Sequence, residues 1–192
     1  MKTPQERADW VKAKHGKWFD KLTNEAKGLI DAPAPFHLRA RLVLRIIDDL
    51  AERVAPQSGC YNCREAHCCH QSVVITSWEA EQIAKYTKRK MAAVPDLAMD
   101  FDVKETRERY SGVPCPFLKK KICTIYEVRP ATCRLHFNMS HDVSLCDIIN
   151  NPGASVPMFN FQELSFIRMA MHHNEGCAVG HIHEFFPPTG PT

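Results

Sequence analysis

Residues 60–70 read CYNCREAHCCH, which places four cysteines and two histidines in eleven positions. No other stretch constrains the fold as strongly, because thiols crowded into one loop must be held by something. Three chemistries compete: a metal site, a disulfide knot and a redox-active dithiol. The chain has nine cysteines, an odd number that leaves one thiol over in any disulfide scheme. Its N-terminus, MKTPQERADWVKAKHGKWFDKL, contains no apolar signal-like segment, and no apolar run reaches the ~18 residues of a membrane span. A cytoplasmic location is therefore expected, and a reducing compartment disfavours disulfides. With 192 residues the chain can also build a core without covalent staples. Metal becomes the leading reading.

Spacing sharpens it. A CxxC step, here Cys60 and Cys63, lets a tight turn bring two thiolates onto one metal, and two such pairs satisfy a tetrahedral zinc or an iron–sulfur cubane. A thioredoxin-like dithiol would need a strand before the motif, whereas the preceding segment reads as helix. Cys68 and Cys69 are adjacent, and neighbouring side chains diverge, so the pair is expected to face two environments rather than one mononuclear ion. A vicinal disulfide between them falls outside ordinary disulfide geometry.

The surrounding pattern predicts an α-rich α+β fold. Residues 3–30 read as a helix interrupted near Gly16, and DAPAPF (31–36) ends it. A second helix, about 36–55, carries Leu38, Leu42, Ile46, Leu50 and Val54 at a four-residue step. SVVIT (72–76) reads as a strand, and Thr76 with Glu79 has the spacing of a capping box opening a helix over about 77–90. CPFLKKKICTIY (115–126) reads as a hairpin turning on its lysines, with Cys115 and Cys123 on its arms. A last amphipathic helix is expected over 161–173. The organisation is thus an N-terminal helical hairpin (1–56), a cysteine-cluster metal-binding domain (57–150), and a C-terminal helix with a histidine-rich tail (151–192).

The run CxxCx(n)CC, followed by PCPFL, CTIYEVRPATCR and a later cysteine, resembles the YkgJ-like cysteine-cluster family of zinc- or iron-chelating domains. The resemblance covers about residues 57–150. It implies an eight-thiol ligand set, falling here on Cys60, Cys63, Cys68, Cys69, Cys115, Cys123, Cys133 and Cys146. A similar motif in flagellin lysine methylases is associated with an iron–sulfur cluster, although this chain is much shorter and shows no methyl-donor fold. Eight thiols divide evenly into two zinc sites of four thiolates each. Pro116 after Cys115 is similar to the Cys–Pro ending of ferredoxin-type runs. The expected cofactor is an iron–sulfur cluster of the 4Fe–4S kind, with zinc as the alternative.

Beyond the thiols, His67 and His70 flank the double cysteine as ligands or as donors to sulfur. Arg129 and Arg134 are expected to offset thiolate charge or to pair with carboxylates such as Glu127. HHNEGCAVGHIH (172–183) gathers His172, His173, His181 and His183 around Cys177, either as a second metal site or as a helix end followed by a surface loop. GxSxG, HExxH, P-loop and GxGxxG patterns are absent, so no catalytic residue is assigned. A net charge of +3 does not point to nucleic acid, and the partner, whether a protein or a small-molecule substrate, is unidentified. The functional expectation is a metal-binding protein with a redox, sensing or metal-handling role. A metalloenzyme using the C-terminal histidines is the alternative.

Overall fold

Thr3 and Glu6 open the first helix by reciprocal capping: Glu6 N–H donates to Thr3 Oγ1 at 3.2 Å and Thr3 N–H to Glu6 Oε2 at 2.6 Å. The computed structural model describes residues 2–61, 63–94, 103–160, 164, 167, 171 and 177–187. The chain forms two compact units, one of residues 1–63, 134–143 and 155–175 and one of residues 64–133, 144–154 and 176–192.

In the first unit, α1 (Pro4–Ile30) and α2 (Phe36–Val54) form the expected antiparallel hairpin. Helix α1 kinks at His15, whose φ of −117° and ψ of 17° leave the helical region beside Gly16. Val11, Phe19, Leu22 and Ala26 supply its buried stripe. The last carbonyls of a helix lack partners within it, and here Arg39 of α2 supplies them. Its Nη1 donates to Ile30 O at 2.7 Å and Leu29 O at 3.2 Å. The four-residue series on α2 is corrected in part. Leu38 and Leu42 are 44% and 43% exposed, while Ala40, Val43, Ile46, Ile47, Leu50 and Val54 are buried. A step of four overshoots a 3.6-residue turn by about 40°. Counting back from Val54, Leu42 lies about 120° and Leu38 about 160° off the buried face. Leu164, Ile167 and Met171, from the expected last helix, are helical and buried. The rest of 161–173 lies outside the described residues.

The second unit is built on β1 (Val74–Thr76), α3 (Ser77–Thr87), α4 (Val103–Tyr110), β2 (Leu118–Lys119) and β3 (Ile122–Cys123). It continues through α5 (Ala131–Arg134), β4 (Val179–His181) and α6 (Ile182–Phe185). β1 pairs antiparallel with β4, Ile75 opposite Gly180, so residues 179–181 form a strand where the sequence suggested a loop. The Thr76–Glu79 capping box opens α3 as expected. β2 and β3 form the lysine hairpin, with Lys120 and Lys121 left-handed at φ 48° and 63°, the conformation that a tight two-residue hairpin turn demands. Val73, Ile75, Ala80, Ile83, Phe117, Ile125, Ile182, Phe185 and Phe186 form the core. Cys115, Cys123 and Cys133 pack at its margin. No described helix is long and apolar enough to cross a membrane.

Candidate metal centre

The CxxC pair belongs to the first unit. Cys60 follows Gly59, and an ideal Cβ on Gly59 would stand 2.1 Å from the main-chain oxygen of Ser140, so only glycine fits there. Gly59 N–H donates to Asn138 O at 2.7 Å, and Asn138 N–H returns to Cys60 Sγ at 3.3 Å. Asn138 is fully buried, its Oδ1 accepting from Ser140 N–H and its Nδ2 donating to Asp142 O. The side chain thus locks the loop that aims a backbone N–H at the sulfur. Cys63 N–H closes the CxxC turn onto Cys60 O at 3.3 Å, leaving the Cys63 side chain exposed. Gly59 and Asn138 were not legible as site residues. The only signal was glycine directly before the first cysteine.

The second unit gathers five thiols from three segments. His67–His70 form a 3-10 turn entered through Ala66, which is left-handed at φ 54°. This turn is joined to the hairpin approach by two backbone hydrogen bonds, Cys115 N–H to Cys69 O at 2.7 Å and Gly112 N–H to His70 O at 2.9 Å. Cys123 lies in β3 opposite Leu118, and Cys115 sits three residues ahead of β2 rather than on it. Cys133 rides on α5, whose first residue is fixed by buried Glu79: Ala131 N–H donates to Glu79 Oε1 at 2.8 Å.

These thiols act on one another. The neighbouring Cys69 thiol is the largest influence raising Cys68, with burial second. Cys68 is exposed as a residue, so the weight belongs to that neighbour. Burial pushes Cys115 up to about 11, with Cys123 and Cys68 adding to it. Burial raises Cys133 well above the ordinary thiol value, and Cys115, Cys68 and Cys123 push the same way. Cys123 is raised by burial and, more weakly, by Cys68. Backbone N–H groups oppose these effects, those of Phe117 and Leu118 at Cys115 and that of Ile125 at Cys123. The Arg129 guanidinium, lying over the Tyr126 ring at 4.2 Å, pulls down Cys68, Cys123 and Cys133. Five thiols thus lie in one unit, and Cys68, Cys115 and Cys123 already face backbone donors. A soft cation suits that donor set.

In the 3-10 turn successive Cβ atoms are about 120° apart, so Cys68 and Cys69 leave the backbone in different directions, while the Cys69 thiol is still the largest influence on Cys68. A model of the CxxCxxCC family, described as "putative zinc- or iron-chelating domain", matches residues 59–175. The chain belongs to that family. The match continues past the last motif cysteine, Cys146, to position 175, farther than the cysteine motifs alone would carry it. No curated protein and no solved structure matches the chain.

Around this CxxCxxCC centre, half-buried His67 Nδ1 lies 3.6 Å from Asp147 Oδ2, and exposed Lys121 Nζ lies 2.7 Å from Glu65 Oε2. Cys146 is buried at the end of the 3-10 turn Val143–Cys146. Arg134 pairs with the carboxylate of Asp48. Among the described residues, no three His, Cys, Asp or Glu side chains stand together as a group that could hold a metal ion. Cys177 is buried with Sγ 3.3 Å from Ser77 Oγ. The expected surface loop around it is corrected as well: His181 is 0% and His183 7% exposed, each ring held by the main chain. His172 and His173 lie outside the described residues.

Proposed function

We propose that this chain is an iron–sulfur protein in which the thiolates of Cys68, Cys69, Cys115, Cys123 and Cys133 supply the cluster ligands on the second unit. The observation that carries the reading is the grouping of these five thiols in one unit, with Cys68, Cys115, Cys123 and Cys133 coupled to one another and Cys69 to Cys68. A single tetrahedral zinc takes four thiolates, and five in one region, two of them neighbours, suit a centre whose metals are spread out. Bound there, the cluster would supply one-electron redox chemistry or a reactive, releasable metal store. The residues around it would set its properties. Backbone N–H groups of Phe117, Leu118 and Ile125 and the Arg129 cation stabilise negative sulfur, and each such contact raises a cluster's potential. The role that follows is redox, sensing or metal handling. The resemblance separately implies Cys60, Cys63 and Cys146 as thiolate ligands.

Zinc is the second reading, supported by the even division of eight motif thiols into two sets of four and by the family's description. Both readings are tested on protein purified without oxygen and without added metal. Iron and acid-labile sulfide in stoichiometric amounts, with broad visible absorption bleached by dithionite, are expected. Stoichiometric zinc without sulfide and without colour would replace the iron–sulfur reading by the zinc one. A metalloenzyme using the C-terminal histidines draws less support, since the rings of His181 and His183 are spent on main-chain partners and on each other.

A further inference from the structure

The two buried histidines form a connected brace. Val73 N–H donates to His181 Nε2 at 2.9 Å, His181 Nδ1 meets His183 Nδ1 at 3.1 Å, and His183 Nε2 meets Pro114 O at 3.0 Å. The two ends of this chain are fixed by chemistry, because a backbone N–H only donates and a carbonyl only accepts. His181 must therefore be unprotonated at Nε2 and carry its proton on Nδ1. His183 must carry its proton on Nε2 and accept at Nδ1. One arrangement of two neutral rings satisfies every link, and burial lowers the pKa of both rings, His181 to about 4. His183 N–H also lies 3.3 Å from His181 Nδ1, but a protonated Nδ1 cannot accept it, so that approach is a polar contact only.

The two imidazole planes are near parallel, differing by 15° with centroids 5.0 Å apart. Tyr110 covers them, its ring 4.1 Å from His181 and 5.3 Å from His183 and within 10° of parallel to each. The ends of the brace matter. Val73 lies four residues after Cys69, and Pro114 immediately precedes Cys115. The same two segments are bridged directly by Cys115 N–H to Cys69 O.

We propose that His181 and His183 are positioning residues for the cysteine centre, a neutral pair locked in one tautomer that holds the Cys69 and Cys115 segments at fixed separation. This rests on the metal-binding reading above. The pair acts through main chain on both sides, which makes it a support for the ligands and not a second metal site.

The test uses the full chain, purified anaerobically, as wild type, His183→Gln and His183→Phe, with folding checked by circular dichroism. Glutamine can donate to Pro114 O and accept from His181 through one amide, whereas phenylalanine keeps the ring under Tyr110 and makes neither bond. The Gln variant is expected to retain metal against a chelator nearly as wild type does. The Phe variant is expected to lose roughly 10–100-fold in apparent metal affinity, the usual cost of disrupting ligand support. Nitrogen-15 NMR of wild type should show His181 protonated at Nδ1 and His183 at Nε2, a signature that general destabilisation would not produce. The opposite tautomers, or a folded Phe variant that holds metal like wild type, would overturn the inference. A wild type that takes up neither iron nor zinc would instead remove the metal-binding reading on which it stands.

Discussion

Glu79 is a buried carboxylate with no role in metal ligation, and its removal tests how the second unit presents Cys133. Its Oε2 accepts from Thr76 N–H at 2.8 Å and Thr76 Oγ1–H at 3.0 Å, and its Oε1 accepts from Ala131 N–H at 2.8 Å. Thr76 and Ala131 are themselves 0% and 3% exposed, so water cannot substitute without opening the unit. Glu79→Ala strands two buried backbone donors, each costing about 1–3 kcal/mol. The lost capping box overlaps with the Thr76 share. A destabilisation of about 2–5 kcal/mol is expected. Glu79→Gln keeps one acceptor oxygen but turns an amide N–H toward the other donor, so roughly half that loss is expected. Urea unfolding of demetallated, reduced protein gives the stabilities, and metal content of the loaded protein reports on Cys133, two residues beyond Ala131. The reasoning fails if Glu79→Ala lies within about 0.5 kcal/mol of wild type, the range of an ordinary surface change.

Gly59→Ala drives a methyl into the Ser140 carbonyl, so a loss of about 1–3 kcal/mol from overpacking is expected, with Cys60 more reactive to thiol reagents; unchanged thermal unfolding would argue against the close approach. Stability should fall with acid in a window set by His181. Its folded pKa, near 4, lies below the ordinary 6.5, so the unfolded chain binds the proton first, and stability that is full above about pH 6.5 declines as pH falls toward 4. His181→Leu should flatten that part of the pH–stability curve measured by urea unfolding; an unchanged curve would contradict it. Cys133→Ser should lower metal content sharply, whereas Cys177→Ser, whose thiol contacts Ser77, should leave it unchanged; equal losses by elemental analysis would refute the assignment. Ser substitutions at Cys68 and Cys69 should cost unequal amounts of metal, because a cubane takes four thiolates and five are present; equal losses would count against a single cubane.

What could be read from the sequence follows the range of the interactions involved. The capped start of α3 was legible, since Thr76 and Glu79 place donor and acceptor three residues apart. The lysine hairpin was legible for the same reason. The α2 stripe was misjudged at Leu38 and Leu42 because a four-residue step looks helical over two turns and drifts off the face over four. Strand β4 was missed because Val179–His181 is three residues long and carries glycine opposite Ile75. Its pairing partner lies about a hundred residues away, which no local pattern encodes.

The cysteines divide along the same line. Their family pattern was visible in spacing, because CxxC and the later cysteines form the motif that the family model matches. Their supports were not. Asn138 reaches Cys60 across 78 residues, Glu79 reaches the Cys133 helix across 52, and His183 reaches Pro114 across 69. None of these belongs to the cysteine motif, and each of the three contacts runs through a backbone atom. A histidine-rich tail beside a cysteine cluster invites a metal reading, yet an imidazole can ligate only with a free in-plane lone pair. In His181 that lone pair accepts from Val73, and in His183 it accepts from His181. Counting ligand-type residues therefore overstates the metal sites in such a chain. Counting the lone pairs left after main-chain partners are satisfied removes His181 and His183 from the candidate ligands.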